Sequence, residues 1–419
     1  MVPPATETLY PLPSLRMADH FHDIIQLGAH GVPGAWAHLL PEDAQWLRLP
    51  NERFAACTTC PPVKLGDYVS ECRCCGYLPQ MTNFAVGFAL QGPSASVMRS
   101  VIADGHALPF GLSPSPRLFA EAIATNAQGR FGQEPSLACP FKHPETHHCG
   151  VYAYRNSVCS TFFCHHDQGD QGEEFWSLLQ AVAGSAETAV AQWAMGQAGL
   201  PSTDVFATMD HLAEHVSEWV HGDRSWSERA LDAIWGIHRG HEEAFFTACA
   251  DQVRSHRDEL LTIASQWTLQ EPAGYQQALK AALPEPSQEI FPQIDDGSVE
   301  RIPLDELWYR LQLAERELWL VPFGETVQLV PGAELETVVS QDRLPILIGG
   351  ARRGLRIPRA NEGPLSLYPS KLEARALRLF EEPQVLNEAL MDRPELTAID
   401  DARSFLAEYL RLGALVRVS

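Results

Sequence analysis

No stretch of this chain approaches the roughly 20 consecutive apolar residues that a bilayer-crossing helix needs, which argues against a membrane-spanning protein. The opening segment, MVPPATETLYPLPSLRMADHF, has no basic patch followed by an apolar run and does not read as a secretory leader. Together these absences predict a cytoplasmic protein with no membrane partner. Familiar catalytic signatures are missing too. There is no GxGxxG ahead of a helix, no P-loop, no GxSxG and no HEXXH. No CxxxCxxC triplet of the radical S-adenosylmethionine type occurs among the ten cysteines. Positive charge is scarce: 31 Lys and Arg face 53 Asp and Glu, for a net charge of -22. A polyphosphate partner would be repelled, so nucleic acid is not expected. The imbalance is uneven. Residues 341–419 hold 12 Lys and Arg against 11 Asp and Glu, a net +1, so residues 1–340 carry -23.

What is present in unusual density is cysteine. Nine of the ten lie between Cys57 and Cys164, in CTTC at 57–60, CRCC at 72–75, and singly at Cys139, Cys149, Cys159 and Cys164. A reducing compartment keeps thiols free, so such clustering points to metal ligands or redox groups before disulfides. Four thiolates close a tetrahedral zinc site or hold one iron–sulfur cluster. The CTTC spacing lets two sulfurs reach one metal from a single turn. Cys74 and Cys75 are adjacent, and side chains of neighbours in an extended segment point apart. One is therefore expected to serve the site while the other packs or serves a second metal. His143, His147, His148, His165 and His166 flank the cysteines as replacement ligands or proton carriers, though exposed loop histidines are the plainer reading. Arg155 is expected to pair with a carboxylate or a backbone carbonyl and to offset thiolate charge.

The cysteine segment also carries a resemblance. CTTC, then CRCC, then ACPF and HHCGVYAYRNSVCSTFFC resembles the YkgJ-like cysteine-cluster family of zinc- or iron-chelating domains, whose pattern opens CxxCxxCC and which includes flagellin lysine methylases. The match covers Cys57 to Cys164, about a quarter of the chain. It implies metal ligation by Cys57, Cys60, Cys74, Cys75, Cys139, Cys149, Cys159 and Cys164. A [4Fe–4S] cluster is the first expectation and zinc the alternative. Two departures stand out: 13 residues separate Cys60 from Cys74, far more than in the family pattern, and Asn156 stands where the family has proline. Cys72 falls outside the eight.

Elsewhere the patterns are structural. PEDAQWLRL at 41–49 reads as a proline-started turn, and PRLFAEAIATNA at 116–127 as a helix. Trp176, Leu179, Val182, Val190 and Trp193 recur at helical spacing, as do Val205, Met209, Leu212, Val216 and Trp219. A third helical stretch opens at Ser225, with Glu228 three residues on as in a capping box, and breaks near Gly240. His238, His241 and Glu242 at i, i+3 and i+4 would share a helix face, where solvation is a plainer role than ligation. Cys249 sits in an apolar stripe as a core thiol. Residues 269–300 read as a link. ELWLVP at 317–322, TVQLVPG, LPILIGG and GLRIP read as strands, and GGARRGLR at 349–356 as a solvated basic turn. Beyond them, helix–turn–helix–turn–helix and a closing strand suggest a winged helix.

The fold expected is therefore α+β and mainly helical. It comprises an N-terminal segment (1–50), a cysteine-rich metal-binding domain (51–175), a helical middle (176–285) and a mixed α/β domain ending in a winged-helix-like module (286–419). The function expected is that of a metal-cluster protein, iron–sulfur or zinc, with a redox or protein-modifying role, including methyl transfer to a protein side chain. The competing expectation is a non-enzymatic scaffold with structural zinc and a protein-binding module. A protein or peptide is the expected partner in either case, and the sequence leaves open whether the chain is an enzyme.

Overall fold

The computed structural model describes residues 19–28, 30–50, 52, 60–143, 145–163, 166, 168–284 and 302–318, with six short strands beyond residue 325. These residues are mainly helical, with small sheets. The chain divides into two compact units, Met1–Gln312 and Leu313–Ser419. The cysteine segment and the helical middle share the first.

That unit opens with an antiparallel hairpin of β1 (Ile24–Leu27) and β2 (His30–Pro33), followed by α1 (Trp36–Leu39) and α2 (Pro61–Leu65). Next come β3 (Met81–Thr82), α3 (Asn83–Gln91), α4 (Ala95–Val101), β4 (Ala107–Leu108) and β5 (Gly111–Leu112). The last two strands join β3 in a small antiparallel sheet of order β3-β5-β4. The helices α5 (Pro116–Ala127), α6 (Ser157–Thr161), α7 (Gly169–Gln197), α8 (Ser202–His211) and α9 (Val216–Val220) follow. The series continues with α10 (Glu228–Trp235), α11 (Glu242–Ser255), α12 (Leu260–Gln266), α13 (Ala273–Ala282) and α14 (Leu304–Leu318). Among the described residues no helix is long and apolar enough to cross a membrane.

The core is built around α7. Phe175, Leu179, Val182, Ala186 and Val190 recur at three- and four-residue intervals and are fully buried. Each large one contributes about 1.5–3 kcal/mol relative to exposure. The helices α3, α6, α11 and α12 pack on it. Four buried tryptophans each place the indole N–H on an acceptor, as buried indoles must. Trp36 donates to Glu187 at 2.8 Å, Trp176 to Glu52 at 2.6 Å, Trp226 to the Ser113 carbonyl at 3.1 Å and Trp235 to the Ala107 carbonyl at 2.9 Å. Buried Asn83 donates to the carbonyls of Pro109 and Ala191, tying the sheet end to α7.

The helices α3 and α11 pack tightly at Gly87, where a Cβ would run into the carbonyl of Phe246. Gly87→Ala must push two backbones apart, so it is expected to cost about 1–3 kcal/mol. Urea unfolding of the variant beside the wild type measures this, and an unchanged midpoint would refute it.

Several sequence expectations are refined here. The helix at 116–127 appears with those bounds, because Ser115 caps it by accepting the Leu118 N–H and Pro116 starts it. The stretch from Val205 to Trp219 is not one helix: a 3-10 turn at Ala213–His215 separates α8 from α9. The third stretch is capped by Ser227, whose hydroxyl accepts the Ala230 N–H, rather than by Ser225. It breaks at Gly236 and Gly240, both in the left-handed region. Residues 269–300 are not wholly a link, since α13 forms there with Tyr275 and Leu279, four apart, turned inward. Residues 317 and 318, read as the start of a strand, end α14 instead.

In the second unit the described strands are β6 (Thr326–Leu329), β7 (Glu334–Val338), β8 (Arg352–Ile357), β9 (Leu365–Leu367), β10 (Gln384–Val385) and β11 (Leu415–Val418). They form two antiparallel sheets, β10-β6-β11 and β7-β8-β9. The strands expected near 326 and 354 and at the C-terminal end are present. LPILIGG and the helices of the expected winged helix lie outside the described residues.

Candidate metal centre

Residues 69–75 form a tight turn. The N–H groups of Cys72 and Arg73 both donate to the Val69 carbonyl, that of Cys75 donates to the Cys72 carbonyl, and Arg73 has a left-handed φ of 56°. Extended geometry therefore does not apply at Cys74 and Cys75. The expectation that they point apart is corrected: the two thiols hydrogen-bond each other.

Three further thiols come to this turn from later in the chain. The Cys139 N–H donates to the Cys75 carbonyl at 2.7 Å. From there CPFKHPETHHCG doubles back as a hairpin. Lys142 bridges Cys149, and Gly150 N–H donates to the Phe141 carbonyl at 2.7 Å. Cys159 stands on α6, where Asn156 accepts the Cys159 N–H at 2.9 Å as N-cap and donates to the Gln80 carbonyl at 2.6 Å. Asparagine at this departure from the family pattern thus has a capping role that proline lacks.

Cys75, Cys139, Cys149 and Cys159 lie close enough to feel one another's charge, with Cys74 beside Cys75. Burial pushes the Cys139 thiol well up, and charge on Cys75, Cys159 or Cys149 pushes the same way. Burial pushes Cys159 up to about 12, against the pull of Arg155 and with Cys149 and Cys75 adding to it. Cys75 differs. The hydrogen bond from Cys74 brings it down to about 7 over the opposition of burial, helped by Lys142, Arg73 and Arg155. Tyr77 is held protonated, first by burial and then by Cys159, to which its hydroxyl donates. Thiols this crowded cannot all ionise unaided. A bound cation removes that constraint, because thiolate is the ligating form.

Positive charge surrounds the group. Lys142 Nζ donates to the Ser70 carbonyl at 2.7 Å and also to that of Glu71. Arg155 donates to the carbonyls of Tyr152, Cys159 and Gly31 and lies 3.7 Å above the Tyr152 ring. This is the backbone pairing expected of Arg155. The thiols are neighbours rather than a preset cage: among the described residues, no three His, Cys, Asp or Glu side chains are grouped so as to hold one metal ion. Cys60 is buried at the head of α2. Cys57 and Cys164 lie outside the described residues. Cys72 is fully buried and donates to the Glu134 carbonyl at 2.9 Å, and burial raises its pKa.

The flanking histidines divide. His143 and His148 are exposed on the hairpin, and His143 Nδ1 accepts the N–H groups of Glu145 and Thr146. His147 is half-buried there with a left-handed φ of 60°. His166 Nδ1 lies 3.3 Å from the Glu52 carboxylate, and His165 is outside the described residues. His238, His241 and Glu242 do not share a helix face, because Gly240 interrupts the helix and Glu242 begins α11. Arg239 holds Glu242 at 2.8 Å. Cys249 is a fully buried thiol, as its apolar stripe implied.

Sequence reasoning passed over Arg73, Tyr77 and Lys142. Their only signal was adjacency, in CRCCGY and CPFK. It also missed a cavity of about 650 Å³ lined in part by Asn156, Ser157 and Val158, the segment leading into Cys159, with no cysteine among its described lining residues. No family model, curated protein or solved structure matches the chain, so the resemblance of the cysteine segment rests on its own residues.

Proposed function

We propose that the gathered thiols hold a metal centre, an iron–sulfur cluster first and zinc as the alternative, and that the protein has a redox or protein-modifying role. In this reading Cys74, Cys75, Cys139, Cys149 and Cys159 supply ligands, with Cys57, Cys60 and Cys164 completing the set that the resemblance implies. One observation supports it: thiols as far apart in the chain as Cys75 and Cys159 come near enough for charge on Cys149 and Cys75 to add to the upward push that burial gives Cys159. Soft sulfur donors suit both metals, and Lys142, Arg73 and Arg155 offset the negative charge of a thiolate-bound centre. The adjoining cavity supports chemistry on a bound molecule over a closed structural site. A protein or peptide substrate in the cytoplasm, methylated on a side chain as in one branch of the resembled family, fits this reading. Nucleic acid and membrane do not, given the acidic chain.

Anaerobic purification of the full chain, followed by elemental and acid-labile sulfide analysis, tests it. Stoichiometric iron with sulfide and visible charge-transfer absorption is the expected result. Stoichiometric zinc selects the structural alternative. Protein with neither metal overturns the proposal.

A further inference from the structure

The cavity of about 650 Å³ lies between α7, α8, α13 and the segments at 80–82 and 110–119. Its size is that of a small-molecule site. One end is aromatic, with Phe110, Phe119, Phe206, Trp226 and Tyr275. Trp226 and Tyr275 stack with ring centroids 5.9 Å apart, and Phe110 and Phe206 lie at 5.8 Å. The Trp226 N–H is committed to Ser113, so this ring offers the cavity its apolar surface. The other end carries amide side chains, Gln180 and Asn156 among them.

Two observations narrow what belongs there. Among the described residues the lining holds no Lys, Arg or His, and it includes the exposed Glu271, in a part of the chain that is strongly acidic; Glu187, also in the lining, has both carboxyl oxygens taken by Trp36 and Ser157. An anion would enter against the field, whereas a cation is drawn in. Aromatic faces add to this preference, because the negative face of a ring attracts cations. The second observation is the breadth of the aromatic lining, five rings that give a flat apolar body its contact surface. We infer that this cavity is a binding site for a small organic cation with a flat apolar body, a protonated aromatic amine being the class it fits. The inference does not depend on the thiols carrying metal, and its test reads binding alone.

Isothermal titration of the full chain with three probes that share one ring system makes the test: tryptamine, tryptophol and indole-3-acetate. Tryptamine is expected to bind, tryptophol more weakly, and indole-3-acetate at least about tenfold more weakly than the amine, a difference of about 1.4 kcal/mol. Ser185→Trp, which places a large ring in the lining of the cavity, is expected to abolish tryptamine binding. Glu271→Gln, which removes a negative charge from the lining, is expected to weaken it by about threefold or more. Circular dichroism confirms that each variant is folded. If Ser185→Trp does not fold, Glu271→Gln and the probe series decide. Absence of binding by all three probes up to their solubility overturns the inference. So does anion binding equal to that of the amine, or tryptamine binding unchanged in both folded variants.

Discussion

Cys139→Ser is expected to remove nearly all bound metal, whereas Cys249→Ser leaves the metal content of the wild type. Burial raises both pKa values. They differ in company. Cys139 sits among Cys75, Cys149 and Cys159, and its N–H donates to the Cys75 carbonyl. Cys249 lies on α11 in an apolar stripe. Serine keeps the size of either side chain and removes the soft donor, so ligation alone is tested. Elemental analysis of the three proteins, purified side by side, gives the result. Equal metal in wild type and Cys139→Ser would sink the assignment of Cys139. Equal loss in both variants would show that burial, not ligation, is at work.

The second large effect concerns Glu187. Burial pushes its carboxyl up to about 7 from an ordinary 4.5, against the hydrogen bonds that it accepts from Trp36 and Ser157. In the unfolded chain the group ionises near 4.5, while in the folded protein it keeps its proton to about 7. Between those values the folded state binds the extra proton, so stability falls as pH rises through the window and levels off above it. The rise from 4.5 to about 7 corresponds to about 3 kcal/mol. Glu187→Gln cannot ionise and is expected to lose this slope. Urea unfolding of both proteins between pH 4.5 and pH 8 isolates the effect of Glu187 as the difference between the two curves. Parallel curves would refute it.

Much of the helical part was legible because caps and apolar spacing are local signals. Ser115 and Pro116 mark the start of α5, and the inward residues of α7 repeat plainly. What escaped was set by tertiary contact. The turn at Ala213–His215 interrupts a stripe whose spacing continues across it. α13 has only Tyr275 and Leu279 to announce it, and both earn burial from partners distant in sequence. At the candidate site, the cysteines were conspicuous by density. The hydrogen bond between Cys74 and Cys75 depends on a left-handed residue at Arg73, a position that composition does not mark. The cavity is assembled from seven separate stretches, so no single window of sequence contains its pattern.

The backbone around the thiols bears on what a lost ligand would leave behind. The turn at 69–75 is sewn to the 132–142 region by main-chain bonds, Val69 N–H to the Gly132 carbonyl and Cys139 N–H to that of Cys75, and by the Lys142 ammonium across Ser70 and Glu71. These stitches are peptide and lysine chemistry and owe nothing to sulfur. The local shape of the turn thus has a source other than sulfur, and under the proposed reading a variant that lacks one ligand would lose metal while keeping these stitches.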